Sequence, residues 1–186
     1  GTGLIVRLQG EPKEYVALRN LSYAAIYMLA PEALREVPPG ANFDFSKNLF
    51  PKLLDSGRKH QGVSLEGFWM DVGRPADLLK ASHILGQKHH HGPLREGAKL
   101  SPTARITRSD LYPGAAVEGS ATVEDCILYD GPRIEDKAHV QRTILAPDAV
   151  IGAGATVTDC VLGRGAKVKP GATLLGERVQ PAQMVG

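Results

Sequence analysis

Few side chains in this sequence combine a type and a spacing suited to chemistry. Glu66 and Asp71 lie five positions apart in EGFWMDVGRP and are the acidic residues of that stretch. Taken by themselves, Glu66 reads as a loop acid and Asp71 as a capping carboxylate ahead of a helix starting at Pro75, with Gly73 a turn glycine between them. His89, His90 and His91 are consecutive. Adjacent residues do not converge on one metal ion as an i, i+4 pair does, so this run reads as a solvated linker. His139 is the lone histidine of the last eighty residues, in a position otherwise held by threonines, and reads as an exposed polar site. Arg74, Lys52 and Lys59 read as surface charges.

The elements that would carry these residues differ between the two halves. From about residue 101 the sequence repeats with a period of 17. Ile106, Val123, Val140, Val157 and Leu174 form one aliphatic column. Leu111, Leu128, Leu145, Leu162 and Val179 form a second, and Val117, Ile134, Ile151, Val168 and Val185 a third. So short a period excludes helical solenoids, whose repeats run to about 33–47 residues. It predicts a parallel β-helix of about five triangular coils, each side turning one aliphatic residue inward, with coils roughly 4.8 Å apart. Small residues stand two positions before the inward ones, among them Ala115, Ala121, Cys126, Ala138, Thr143 and Cys160, and suit tight corners. Gly114, Gly119, Gly131, Gly152 and Gly171 suit the backbone reversals there. Cys126 and Cys160 are 34 residues apart and so share a corner of coils that are not adjacent. Two coil spacings, roughly 9–10 Å, are too far for a disulfide, and both cysteines read as corner filling.

Residues 1–92 show none of this repeat. Leu4 to Leu8, Ser22 to Leu29, Gly62 to Leu65 and Phe68 to Val72 read as short strands. Pro31 starts a short helix. Asp44 is a good N-cap and Gly57 a good terminator for another, with Phe45, Leu49 and Leu53 on one stripe and Phe50 and Leu54 beside it. Pro75 begins a third helix whose Leu78, Ala81 and Leu85 share a face. An α/β layer needs helices on both faces of its sheet, and these elements leave apolar edges open. The chain also starts at Gly1 and runs straight into a strand-like segment, which leads us to expect a piece of a longer protein.

The totals exclude several classes. With 186 residues, a net charge of +2 and 5% aromatics, the chain has no clustered basic stripe for nucleic acid. No 18-residue apolar run spans a membrane, and no signal peptide is visible, which points to the cytoplasm.

The 17-residue pattern resembles the hexapeptide-repeat, left-handed β-helix family over roughly residues 101–186; the handedness is the family's. Residues 22–85 resemble the C-terminal part of the sugar-1-phosphate nucleotidyltransferase domain through YAAIYMLAPEAL, FDFSKNLFPKLLDSG and EGFWMDVGRPADLLKA. Family members often continue into such a β-helix, and bacterial mannose-1-phosphate guanylyltransferase-like proteins look nearest. The resemblance implies attack of a sugar-1-phosphate oxygen on the α-phosphate of a nucleoside triphosphate, releasing pyrophosphate. It implies Mg²⁺ to neutralise the gathered phosphates, with Asp71 matching the family's metal aspartate, Glu66 a position near the sugar, and Gly73 a close backbone approach to substrate. It implies mannose and guanine only as the family's lean.

The sequence departs from the family at three places. Tyr23-Ala24-Ala25 replaces the usual polar contact and permissive glycine, Glu11-Pro12-Lys13 is only the nearest stretch to the sugar-phosphate motif, and no Gly-rich nucleotide loop is found. No catalytic residue is therefore assigned within this chain, which alone should not catalyse. The expected organisation is α/β over 1–92, a linker over 93–100 and the β-helix over 101–186, the last serving assembly into a homo-oligomer or regulation. Two alternatives stand beside it. One is a non-catalytic β-helix scaffold on a remnant transferase fold. The other is a hexapeptide acyltransferase, whose family resemblance would make His139 a general base.

Overall fold

The computed structural model describes residues 4–5, 24–88 and 97–186. The expectations for Lys13, Tyr23 and His89 to His91 fall outside the described residues. The chain divides into two compact units, Gly1–Trp69 and Met70–Gly186.

The first unit holds short helices and a two-stranded antiparallel pair, Leu4–Ile5 with His60–Gln61. Helix α1 (Pro31–Leu34) starts at its proline, as expected. Asp44 caps the next element reciprocally: its side chain accepts from the Lys47 N–H, while its own N–H donates to Asn48 Oδ1 at 2.9 Å. That element is not one helix. Phe45–Leu49 is a π-turn, and α2 (Phe50–Asp55) follows. Pro51 accounts for the break, because its missing N–H and its ring are incompatible with an ordinary turn just before it, so the backbone widens to i→i+5 bonding. Gly57, at φ +74°, terminates α2. Leu49, Phe50 and Leu53 are buried together with Ala33 to form this unit's small core.

The strands expected from Ser22–Leu29, Gly62–Leu65 and Phe68–Val72 do not form among the described residues. Apolar, β-prone residues become strands only when a neighbour accepts their backbone hydrogen bonds, and among the described residues no strand pairs with them. Most of their side chains stay exposed, Met28 and Val63 most of all, while Leu29 packs against the unit's core.

The second unit begins with α3 (Pro75–Lys88) and continues into the β-solenoid. The solenoid has three faces, each a parallel sheet. The first runs from Lys99–Leu100 through Ala116–Val117, Arg133–Ile134, Val150–Ile151 and Lys167–Val168 to Met184–Val185. The second comprises Arg105–Thr107, Thr122–Glu124, His139–Gln141, Thr156–Thr158 and Thr173–Leu175. The third comprises Asp110–Leu111, Ile127–Leu128, Ile144–Leu145, Val161–Leu162 and Arg178–Val179. Every pairing holds the 17-residue register: Val123 faces Val140, Leu128 faces Leu145 and Ile134 faces Ile151. The three aliphatic columns form one continuous core.

The corners divide by chemistry. Two corners carry buried alanines, such as Ala115 and Ala149 at one and Ala121 and Ala138 at the other. The third carries Ser109, Cys126, Thr143 and Cys160, and small size is not the whole reason. Each of these side chains donates to the carbonyl two residues earlier: Ser109 to Thr107, Cys126 to Glu124, Thr143 to Gln141 and Cys160 to Thr158. Ser109 Oγ also accepts from the Cys126 N–H at 3.0 Å, and Thr143 Oγ1 from the Cys160 N–H at 3.2 Å. A buried N–H left without a partner is costly, so this corner needs a short polar side chain where alanine would serve elsewhere.

Just before that corner stand Arg108, Asp125, Arg142, Asp159 and Gly176, each with a positive φ. Side chains disfavour this conformation, but here they alternate in charge along the solenoid. Arg108 Nε lies 2.6 Å from Asp125, and Arg142 Nε lies 2.6 Å from Asp159. Gly114, Gly119, Gly131 and Gly171 reverse the chain as expected. Gly152 does not: its φ is ordinary, and it is glycine because a Cβ would lie 2.5 Å from the Pro170 nitrogen.

Two measurements check this account. Ala25 has φ +54°, a conformation that glycine adopts more readily than alanine. Ala25→Gly is expected to raise unfolding free energy by about 0.5–1 kcal/mol, read by denaturant titration. Hydrogen bonds from Arg108 and Arg142 hold the Asp125 and Asp159 carboxyls below their ordinary value of 3.8. Lowered folded-state values stabilise the protein above the unfolded value and cease to do so as pH falls through the folded one. The melting-temperature deficit of Arg142→Met should therefore be present at pH 6 and vanish well below pH 3.8.

Candidate functional site

Asp71 and Gly73 lead directly into α3. The helix start is fixed by Asp77, whose carboxylate accepts from the Arg74 N–H at 3.1 Å and pairs with its guanidinium at 3.0 Å. Arg74 in turn holds the Asp77 carboxyl below its usual range. Asp77 thus fills the capping role that Asp71 could have taken. Asp71 is exposed, with no hydrogen bond or ion pair to the described residues. Gly73 has an ordinary φ, and a Cβ added to it would meet nothing within 4 Å, so the chain's own packing does not require glycine there. Glu66, in the first unit, is exposed beside Gly67, which has φ +113°. Lys52 is an exposed surface charge paired with Glu36 at 2.9 Å.

These residues fit a metal in one way only. Among the described residues no three His, Cys, Asp or Glu side chains converge. An all-protein cage is therefore not built from them, whereas Mg²⁺ is commonly held by one or two carboxylates together with substrate phosphates. A free, exposed carboxylate at Asp71 suits that arrangement.

Elements of the second unit enclose a groove of about 450 Å³ between α3 and the third face, lined by Leu79, Ser82 and His83 on one side and Ile127, Val161 and Arg178 on the other. Side chains alternate along a strand, so Ile127 and Ile144 point away from the core that receives Leu128 and Leu145. They are nonetheless only 4% and 7% exposed. Ser82 Oγ donates to Asp110 Oδ2, which sets α3 against this face. The outward apolar column Ile127, Ile144, Val161 is the sequence signal that something covers it, and it was not among the expected features.

His139 is exposed on the second face, where its Nδ1 lies 2.6 Å from Thr122 Oγ1. Cys126 and Cys160 are free thiols and buried. Burial pushes the Cys126 thiol up to about 12 and raises Cys160 as well.

The fold defines a class: a hexapeptide-type β-solenoid preceded by a short α/β segment. Comparison with known proteins makes this particular. Residues 1–88 match the nucleotidyl transferase family, and residues 96–182 match the GlmU-like C-terminal hexapeptide family. The chain thus carries, in order, a segment similar to the nucleotidyl transferase family and one similar to the GlmU-like C-terminal hexapeptide family. A UTP–glucose-1-phosphate uridylyltransferase from Synechocystis is 34% identical over 42% of this chain and 20% of its own length. A probable mannose-1-phosphate guanylyltransferase from Arabidopsis thaliana is 31% identical over 66% of this chain and 34% of its own. The chain therefore spans about a fifth to a third of the length of these curated relatives. Among solved structures, a mutant GDP-perosamine N-acetyl transferase from Caulobacter crescentus, bound to CoA and GDP-perosamine, shares the fold. Its TM-score is 0.51 at 22% identity, covering 62% of this chain and 59% of that one. Among the described residues no helix is long and apolar enough to cross a membrane.

The thiols offer a check on the corner chemistry. In the native protein neither Cys126 nor Cys160 should react with a thiol reagent at pH 8, and both should react in denaturant. Prompt native reaction of Cys126 would contradict its burial.

Proposed function

We propose that this chain serves the formation of a nucleoside-diphosphate sugar from a nucleoside triphosphate and a sugar-1-phosphate. A phosphate oxygen of the sugar-1-phosphate attacks the α-phosphorus, the new P–O bond forms, the bond to the β-phosphate breaks, and pyrophosphate leaves. One observation carries this reading: a nucleotidyl transferase match is followed, in order, by a hexapeptide match, and the similar curated proteins named above transfer nucleotidyl groups to sugar-1-phosphates.

Within this reading Asp71 would hold Mg²⁺, whose charge offsets that of the phosphates brought together. Glu66 would line the sugar site. Gly73 would let substrate approach the backbone, a role its unconstrained surroundings favour over a structural one. The solenoid would serve self-association or regulation, and the setting would be cytoplasmic. The uridylyl and guanylyl relatives differ in base, so the reading names neither base nor sugar. Acyl transfer has less behind it, since the likeness to the acetyltransferase is one of fold and His139 is engaged with Thr122.

The test is to express the whole reading frame that contains this sequence and to assay pyrophosphate release against a panel of nucleoside triphosphates and sugar-1-phosphates. We expect Mg²⁺-dependent release with at least one pair. Asp71→Asn should lower kcat by about a hundredfold or more, a loss of several kcal/mol of charge stabilisation. Gly73→Ala should lower activity without lowering the melting temperature. Absence of release with every pair would favour the scaffold reading, and consumption of an acyl-CoA would favour acyl transfer.

A further inference from the structure

Helix α3 belongs to both parts of the chain. It lies inside the segment that matches the nucleotidyl transferase family, yet it packs as part of the unit that contains the solenoid. Its contact with the third face is specific. Ser82 bonds to Asp110 in the first coil, and His83 lines the groove together with Asp125 of the second. Ile127 lines the same groove and is buried although it points out of the solenoid. At the other end of α3, Asp77 locks Arg74 by both backbone and side chain. Only Val72 and Gly73 then separate Asp71 from a fixed helix end, so Asp71 lies within about 11 Å of that end at full extension.

We propose that Asp110 is a positioning residue: by holding Ser82 it fixes α3 on the solenoid, and through α3 it sets where the Asp71 segment stands. This rests on the nucleotidyl transfer reading. The solenoid then contributes to the reaction without touching substrate, as the bed on which the helix bearing the Asp71 segment lies. Several other charged groups along the groove are engaged with one another rather than across it: Arg108 with Asp125 and Glu124, Arg142 with Asp159, and Arg74 with Asp77. The Ser82–Asp110 bond joins α3 to the coils, so its loss should loosen the helix specifically.

The experiment uses the protein of the whole reading frame with Ser82→Ala, Ser82→Thr, Asp110→Asn and the double variant Ser82→Ala/Asp110→Asn. Two readouts are taken: amide hydrogen exchange along α3 and the coils, and kcat and KM for pyrophosphate release. Ser82→Ala is expected to speed exchange in α3 about tenfold while the coils keep their protection. It should lower kcat about tenfold with KM changed less than twofold, because the catalytic geometry shifts while binding groups remain. Ser82→Thr should restore both, and the double variant should be no worse than the more severe single one. Unchanged exchange in Ser82→Ala and Asp110→Asn would overturn the anchoring. Faster exchange with unchanged kcat would overturn the positioning role alone. A wild-type protein that releases no pyrophosphate would overturn the nucleotidyl reading, and this proposal with it, whatever the exchange data show.

Discussion

The register between coils is the constraint on which the solenoid depends. Each strand of two or three residues is too short to be stable alone, and its backbone groups are satisfied only by the strands 17 residues before and after it. Because side chains alternate along a strand, a slip of one residue would turn every inward aliphatic outward. The same spacing therefore fixes hydrogen bonding and burial together, and neither column of contacts can be kept without the other.

The third corner shows how this constraint reaches beyond the aliphatic columns. A left-handed residue turns the chain, and the next N–H then points to where a side chain of the preceding coil must receive it. Ser109 and Thr143 do so with hydroxyls, and Cys160 Sγ accepts from the Glu177 N–H at 3.4 Å. Outside, the residues in the strained conformation carry alternating charge, so each arginine meets an aspartate of the next coil. Exposed pairs of this kind contribute little each. Their order matters more than their strength: a register shift of one coil would leave Asp125 facing Asp159 and Arg108 facing Arg142.

What could be read from the sequence follows from how periodic each feature is. The three aliphatic columns repeat without a gap from Ile106 to Val185, and the structure keeps every member in place. The corner chemistry was only half legible, since Ser, Cys and Thr look like small fillers until their backbone partners are known. Pro51 carried a clear signal for the break at Phe50, but the caps at Asp44 and Gly57 suggested one uninterrupted helix. In the first unit, β-prone segments such as Gly62–Leu65 resembled strands because local preference cannot report whether a partner strand is present. At the site, Asp77 stood three positions after Arg74 in a standard capping relation, which left Asp71 free of the role its own spacing proposed. Ile127, Ile144 and Val161 were visible as an outward apolar column, and a solvated face does not carry one.

The position of α3 bears on what counts as a unit of function here. By sequence likeness it closes the segment that matches the nucleotidyl transferase family, and by packing it joins the coils. A boundary drawn by sequence likeness would cut behind it, whereas one drawn by burial would cut ahead of Met70. The second cut keeps Asp71, α3 and the third face together, and this grouping has a physical reason. An outward-facing isoleucine on the solenoid is costly unless covered, and Ile127 shares its groove with Leu79, Ser82 and His83 of α3. A site of one free carboxylate has little polar structure around it to hold its geometry, so that geometry must come from the helix behind it and from what the helix rests on.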